Sequence, residues 1–400
     1  MQAKKILLIS LLGGLLIFSS GPAFAKRRSR AKKYSTPITN PVLLWARTLS
    51  ESQDLEERKV AAFKLSQYSQ SLYQDEVVTT LIKCIKDPDE HIKVFCAKAM
   101  GKAGSKSKAD TIRRSLLEQY KQDPKLRGTL IRTFIVRKDN HSSTQEALLE
   151  TLKQSSEPDE LLPLLDYLEQ FGSSQSITPL IAAFQKSDNS KIRRGVVKAL
   201  SEKGQGQDSV VNLLIECSES RDTTLVLTCL SALQAQAKKD SKTLAAVEKT
   251  IESSDPDVIL ASLDVIQALP ESPNPKISNR LIELIEQGGD TDLLENSILA
   301  LGICGDFSEP AIKVIQTLLE KKDVDEGIKI SAALVLGKQA EKFPEGPKAV
   351  LTACRSSAAT QSLKTACQLG LQELQRREKK IKVTKPVDKV GDQETKPEKS

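Results

Sequence analysis

The chain has 400 residues, of which 28% are charged and 4% aromatic, and its formal net charge is +7. Abundant Leu, Ala, Ile, Lys and Ser favour helices over strands, and a single compact domain of this length would be unusual. An array of small repeats avoids that size limit, because each unit packs only on its neighbours.

The positive charge is concentrated near the two ends of the chain. Lys4 and Lys5, residues 26–33 and residues 376–400 together carry a charge of +12, so residues 34–375 carry −5. A basic chain would suggest a nucleic-acid partner, but an acidic body with basic ends argues against one.

The first 25 residues have the pattern of a signal peptide. Lys4 and Lys5 precede an apolar run over residues 6–18, and Ala23-Phe24-Ala25 has the small-x-small form that signal peptidase recognises. We therefore predict a mature chain that begins at Lys26 and an exported protein, either periplasmic or secreted. No Cys follows the run, so a lipid anchor is not indicated.

Six basic residues follow the predicted cleavage site, without an acidic residue among them. They oppose translocation, so a membrane anchor over residues 6–25 is the alternative. In an exported protein, the basic arm over residues 26–40 suits an anionic surface, such as phospholipid headgroups or a cell-wall polymer. A solvated arm with no specific role is the other interpretation. The six residues are Lys26, Arg27, Arg28, Arg30, Lys32 and Lys33.

Residues 41–375 repeat a helical pattern. Segments such as 92–101 and 192–200 share apolar positions at helical spacing and end in a small residue followed by a large apolar one. Such endings recur every 32 to 36 residues, and an amphipathic stretch precedes them. The period predicts an α-solenoid of about ten helical hairpins. We call the large apolar residues the closing residues: Leu65, Met100, Phe134, Leu168, Leu200, Leu233, Leu269, Leu301, Leu336 and Leu369.

In eight of the repeats the turn inside the hairpin carries an acidic residue, which Pro follows in several cases. An acidic N-cap accepts the free amides of the second helix, and Pro at the first helical position loses no hydrogen bond. We interpret these carboxylates as helix caps and not as catalytic acids. They are Asp87, Asp123, Glu157, Asp188, Asp222, Asp255, Asp290 and Asp323.

The run Asp87-Pro88-Asp89, followed by Ile92-Lys93 and by residues 97–104, resembles the short HEAT repeat that is also found in phycobilin lyases. The resemblance covers roughly residues 41–375 and weakens at the repeats that close at Phe134 and Leu168. It implies an all-α, right-handed superhelix of the armadillo type. It also implies that the second helices line the concave side, where members of the family generally bind proteins.

The sequence offers little for catalysis. His91 and His141 are the only histidines, and neither lies in a cluster of metal ligands. Some HEAT-repeat enzymes hold iron with His-Glu pairs, but no His-Glu dipeptide occurs in this chain. A nucleophile elbow and a phosphate-binding glycine loop are missing too. We therefore expect a non-catalytic protein without a metal or a cofactor.

The cysteines fall into a register. Cys84 and Cys96 lie 16 and 4 residues before a closing residue, and Cys217 and Cys229 share that spacing. Buried thiols between the paired helices are the first interpretation, because small residues fill the same position in other repeats. The alternative is a disulfide within each hairpin, which an oxidising compartment would favour. Cys354 and Cys367 match the spacing only approximately, and Cys304 is left over.

Two columns of side chains follow the repeat. Seven residues before the closing residue lies a basic column that is expected to pair with turn aspartates of neighbouring repeats: Arg58, Lys93, Arg127, Arg193 and Lys329. Two residues before the closing residue lies a column that is the candidate protein-binding surface. Its polar middle comprises Lys98, Arg132, Asp166, Lys198, Ser231 and Gln267, and its flanks are Phe63, Leu299, Leu334 and Cys367.

These features predict an exported scaffold that binds a protein or peptide on a concave face. The alternative is a lyase-like or chaperone-like accessory protein that holds a small ligand between helices. Residues 376–400 have too few apolar side chains to pack and are expected to be disordered. The sequence leaves the oligomeric state open.

Overall fold

The computed structural model describes residues 40–68, 72–236, 242–305, 308–338 and 345–384. The predicted signal peptide, the basic arm up to residue 39 and the residues after 384 lie outside the described part of the chain. The structure therefore bears on the predicted solenoid and on the first residues of the predicted tail.

The described residues form twenty α-helices and no strand. Consecutive helices pair as ten hairpins, and each hairpin packs on the next. The all-α superhelical solenoid expected from the sequence period is thereby confirmed. The hairpins are α1 (Pro41–Glu51) with α2 (Leu55–Gln67), α3 (Asp75–Cys84) with α4 (Glu90–Met100), α5 (Ala109–Gln122) with α6 (Arg127–Arg137), α7 (Ser142–Gln154) with α8 (Pro158–Phe171), α9 (Ile177–Lys186) with α10 (Ser190–Lys203), α11 (Asp208–Ser218) with α12 (Thr223–Gln236), α13 (Thr243–Thr250) with α14 (Pro256–Ala268), α15 (Pro275–Gln287) with α16 (Thr291–Cys304), α17 (Glu309–Glu320) with α18 (Glu326–Gly337), and α19 (Glu345–Ser357) with α20 (Gln361–Thr384).

Polar caps fix the start of the second helices. The Asp255 carboxylate accepts the amide of Asp257 at 3.0 Å, and Pro256 occupies the first position of α14. Asp222 and Asp290 accept amides at the starts of α12 and α16. These three carboxylates satisfy amides that the helix itself leaves without an acceptor.

At three other turns the cap lies one or two residues after the predicted acidic residue, because the helix begins later. Asp89 takes the place of Asp87 on α4, where it accepts two amides at 2.9 and 3.1 Å. Glu157 makes no side-chain capping bond, although Pro158 does start α8. In the same way Asn189 and Asp325 replace Asp188 and Asp323 on α10 and α18.

The basic column ties neighbouring hairpins together at the N-terminal end of the stack. Arg193 behaves differently and pairs with Asp188 of its own turn at 3.4 Å. Lys329 has no acidic side chain within 4 Å among the described residues. The pairs between hairpins are Arg58–Asp87 at 3.7 Å, Lys93–Asp123, and Arg127–Glu160 at 3.4 Å.

The closing residues are buried along the core, apart from the last one. From Leu65 to Leu336 none has more than 5% of its surface exposed, whereas Leu369 is 49% exposed. Leu371 takes the buried position, because it shares one helical stripe with Cys367 and Leu374. The closing residue predicted for the last hairpin is therefore wrong by two residues. Leu369 itself lies two residues before the buried Leu371 and so belongs to the column of the candidate protein-binding surface.

The stack curves toward its second helices. Second helices of neighbouring hairpins contact one another more extensively than first helices do, so the second helices lie on the inner side of the curve. Glycines permit the tightest approach: a Cβ added at Gly337 of α18 would lie 2.4 Å from the Cα of Gly370 in α20. The second helices therefore form the concave surface.

The last helix continues past the predicted end of the solenoid at residue 375. α20 runs to Thr384, so the first residues of the predicted tail are helical. The Arg377 guanidinium donates to both oxygens of Glu271 at 3.0 and 3.1 Å, across 106 positions in sequence. This pair attaches the end of α20 to the loop between α14 and α15.

Candidate functional site

The concave surface displays the column of side chains that lie two residues before the closing residue. Five of the six polar members predicted from the sequence are exposed, and they lie on successive second helices: Lys98 on α4, Arg132 on α6, Asp166 on α8, Lys198 on α10 and Ser231 on α12. The sixth, Gln267 on α14, is half-buried and donates to Asn296 Oδ1 at 2.9 Å. A common surface does not by itself show binding, so their role stays a prediction.

A second column, which the sequence analysis missed, adjoins the first. It lies five residues before the closing residue and meets the first column of the preceding hairpin. The Phe63 and Phe95 rings of α2 and α4 are 5.4 Å apart at 74°, and Gln267 meets Asn296 in the same register. Helical periodicity would have shown that both columns face one way, but their contact depends on how neighbouring hairpins pack. At these two junctions the columns join into one inner surface.

Two regions of this surface carry opposite charges. The stretches 60–67, 94–102 and 129–137 of α2, α4 and α6 contain basic residues and no acidic ones. Toward the other end, α14 and α16 carry four acidic residues that have no basic group within 4 Å in the described part of the chain. The basic set is Lys64, Lys98, Lys102, Arg132 and Arg137, and the acidic set is Asp257, Asp264, Asp292 and Glu295.

Arg137 belongs to the fold and not to the open surface. Its guanidinium is largely buried and donates to the carbonyl oxygens of Met100 and Ala103 at 2.6 and 2.9 Å. Burial lowers its pKa. The other four basic side chains of the set remain exposed.

Two of the predicted residues line one groove in the middle of the concave surface. This groove has a volume of about 420 Å³ and lies between α8, α10 and α12. Lys198 and Ser231 share it with Leu227 at one side and with two carboxylates. The remaining polar lining consists of Glu169, Ser201, Glu202, Thr224 and Thr228.

A second groove, of about 530 Å³, surrounds another predicted residue. Arg132 and Lys125 face Asp159 and Glu160 across it, between α6 and α8. A third groove, of about 540 Å³, lies between the first helices α15 and α17, on the outer side of the stack. The concave surface thus offers shallow polar recesses between α6 and α12.

The structure joins six cysteines as three disulfides. Each connects the first and second helix of one hairpin, with Cα atoms 6.0 to 6.1 Å apart. The structure thus shows the disulfide alternative for the two registers noted in the sequence and adds a third pair. Cys304 is a buried free thiol, and burial raises its pKa to about 12. The pairs are Cys84–Cys96, Cys217–Cys229 and Cys354–Cys367.

His141 and Tyr120 are side chains of types that can act in catalysis, and both make hydrogen bonds within the fold. His91 is exposed, and His141 accepts the amide of Ser143 at the start of α7. Burial raises the pKa of Tyr120 to about 12, and its hydroxyl donates to Thr151 Oγ1 at 2.6 Å. Within the described residues, no three His, Cys, Asp or Glu side chains are grouped as a metal site.

A search of the described helices for membrane spans found none with the length and apolarity required.

Comparison with solved structures supports the fold. An engineered protein of known crystal structure is similar over 84% of this chain and 99% of its own, with a TM-score of 0.55 and 16% identity. Kap121p is similar over 86% of this chain and 43% of its own, with a TM-score of 0.48 and 12% identity. No family model and no curated protein matched the sequence. At 16% identity, the similarity to the engineered protein concerns the architecture alone, which is an α-solenoid.

Proposed function

We propose that this chain is an exported, non-catalytic scaffold that binds a protein or peptide along the concave surface of its second helices. The observation that carries the proposal is the column of side chains that the second helices present on the concave surface, from Phe63 on α2 to Leu369 on α20. Contacts spread over many repeats suit an extended partner better than a single small molecule. The resemblance of residues 41–375 to short HEAT repeats agrees with this function.

Affinity capture tests the scaffold. Residues 26–400 would be immobilised, exposed to an envelope fraction, and the bound proteins identified by mass spectrometry. A variant with Arg132→Glu and Lys198→Glu on the concave surface should lose its partner. Lys83→Glu with Lys313→Glu makes the same charge change on exposed positions of α3 and α17 and should keep it. Equal capture by both variants contradicts the proposal.

A second candidate function is the holding of a small ligand, for which the groove around Lys198 and Ser231 is the supporting observation. Its volume of about 420 Å³ is within the range of small-molecule sites. Native mass spectrometry of the purified chain distinguishes the two functions. A bound metabolite or chromophore that Lys198→Glu removes would favour the ligand-holding protein over the scaffold.

Export is the other part of the proposal. The Ala23-Phe24-Ala25 sequence supports it, and so do three disulfide pairs, which persist in oxidising compartments. N-terminal sequencing of the mature protein should begin at Lys26. An intact N-terminus in a membrane fraction would instead favour the anchor over residues 6–25.

The basic arm is proposed to attach the exported protein to an anionic envelope surface. Its six basic residues and lack of acidic ones are the support. Sedimentation with phosphatidylglycerol vesicles should depend on residues 26–33 and weaken as salt is added. Equal sedimentation after deletion of residues 26–33 would leave the arm without this role.

A further inference from the structure

We infer that the concave surface of the first three hairpins is a docking site for an acidic segment of a partner protein that also presents apolar side chains. Six residues form this N-terminal patch: Val60, Phe63 and Lys64 on α2, Phe95 and Lys98 on α4, and Arg132 on α6. The inference rests on the proposed scaffold function and names the chemistry of one partner segment.

The patch has an exposed apolar floor. Val60 and Phe63 are 46% and 43% exposed, and they lie one helical turn apart on α2. The Phe63 ring meets the edge of the half-buried Phe95 ring, so the three side chains form one cluster across two hairpins. Large apolar residues exposed singly are ordinary, whereas a contiguous cluster on a concave surface marks a site for a partner.

The patch is basic around this floor. Lys98 Nζ lies 5.9 Å from the centroid of the Phe95 ring, and Arg132 occupies the equivalent outward position on the next hairpin. Lys64, Lys98 and Arg132 have no carboxylate within 4 Å in the described residues, and Lys102 at the end of α4 is unpaired in the same sense. Carboxylates of a partner would complement these unpaired cations, whereas further cations would be repelled.

Farther toward the C-terminal end of the stack, the concave surface carries the opposite charge. There Asp264 and Glu295 take outward positions on α14 and α16, beside the half-buried Leu299. An acidic segment would be repelled at that end and attracted at the N-terminal patch. Charge complementarity therefore assigns the acidic segment to the first three hairpins.

Nucleic acid is the other polyanion that binds to surfaces of aromatic and basic side chains. Single strands bind to aromatic faces on which successive bases stack. Phe63 and Phe95 meet edge to face at 74°, which does not offer two parallel faces to neighbouring bases. The solenoid as a whole carries a negative charge, with −5 over residues 34–375. An acidic peptide with apolar side chains fits both observations better.

The test is a titration of the chain over residues 26–400 with a fluorescein-labelled peptide of alternating Glu-Glu and Phe-Leu pairs, followed by anisotropy. A second peptide replaces every Glu by Lys. We expect the acidic peptide to bind with a dissociation constant below about 100 μM and the basic peptide to bind less tightly at the N-terminal patch. Binding of the acidic peptide should weaken as salt is raised.

Variants locate the binding. Phe63→Ser with Phe95→Ser, and separately Lys98→Glu with Arg132→Glu, should each weaken binding of the acidic peptide by about tenfold or more. The matched controls are Lys83→Glu with Lys313→Glu on the outer surface and Leu334→Ser on α18, which should change it less than about twofold. Circular dichroism confirms that each variant is folded.

Three results overturn the inference: no binding of the acidic peptide at about 1 mM, equal losses in the patch and control variants, or stronger competition by an oligothymidylate than by unlabelled peptide. These results are distinguishable from failure of the scaffold itself. If Lys198→Glu abolishes capture of an envelope protein while the acidic peptide does not bind, the scaffold function is supported and this docking site is contradicted.

Discussion

Reduction of the disulfides should loosen the hairpins that they close, and the effect can be calculated for the bond between Cys217 and Cys229. The bond closes a short loop, with a sequence separation of 12, between α11 and α12. Releasing a loop of this length gives the unfolded hairpin enough conformational entropy to lower its opening free energy by about 3 kcal/mol. Since about 1.4 kcal/mol corresponds to a factor of ten, amide protection in this hairpin should fall by about 100-fold.

Hydrogen exchange with peptide-level mass spectrometry measures this change in one protein, with and without reductant. The comparison keeps every side chain in place, so no cavity is created. The α7–α8 hairpin is the internal control, because it has no cysteine and does not adjoin a disulfide-bonded hairpin. Unchanged protection in α11–α12, under conditions where both thiols have become reactive to an alkylating agent, would refute the reasoning.

Three further predictions concern the fold. Gly337→Ala should destabilise the last two hairpins by about 1–3 kcal/mol in urea unfolding, because the new Cβ would lie 2.4 Å from the Cα of Gly370. Asp255→Ala should cost about 1 kcal/mol of unfolding free energy, since the carboxylate accepts an amide at the start of α14; a loss near zero would mean that another group caps the helix. Arg377→Ala should raise amide exchange over residues 371–379 with little change elsewhere, because the pair with Glu271 attaches the end of α20. The hydrogen bonds from Arg377 lower the pKa of Glu271 below 4.5. The attachment is therefore present at neutral pH and weakens as the pH falls below that value. Urea unfolding of the wild type and of Arg377→Ala, at pH 6 and at pH 3, would measure this loss of stability.

The period of the sequence was sufficient to predict the architecture. Ten hairpins, the burial of nine closing residues and the outward direction of the Lys98 column all follow from apolar spacing, which depends on local helix geometry. The last hairpin was misplaced by two residues because Leu369 and Leu371 are both apolar there.

Contacts between hairpins were harder to predict. The pairing of Arg377 with Glu271 spans 106 positions, and no local pattern links them. The edge-to-face contact of Phe63 with Phe95 likewise depends on the angle between neighbouring hairpins. The scarcity of apolar side chains after residue 375 led to an expectation of disorder, yet the salt bridges that Arg377 makes with Glu373 and Glu271 accompany a helix that continues to Thr384.

The oppositely charged regions of the concave surface constrain the partner as well as its orientation. From α4 to α14 there are five steps between second helices, each of about 10 Å, so the basic and acidic regions are about 50 Å apart. An extended peptide of about 12 residues reaches at most about 40 Å. One short segment therefore cannot neutralise both regions. If both are occupied, then either a single partner presents acidic and basic segments far apart in space or two partners bind together. Acidic and basic peptides added together should consequently occupy the solenoid without competing, whereas mutual displacement would mean that both bind at one region.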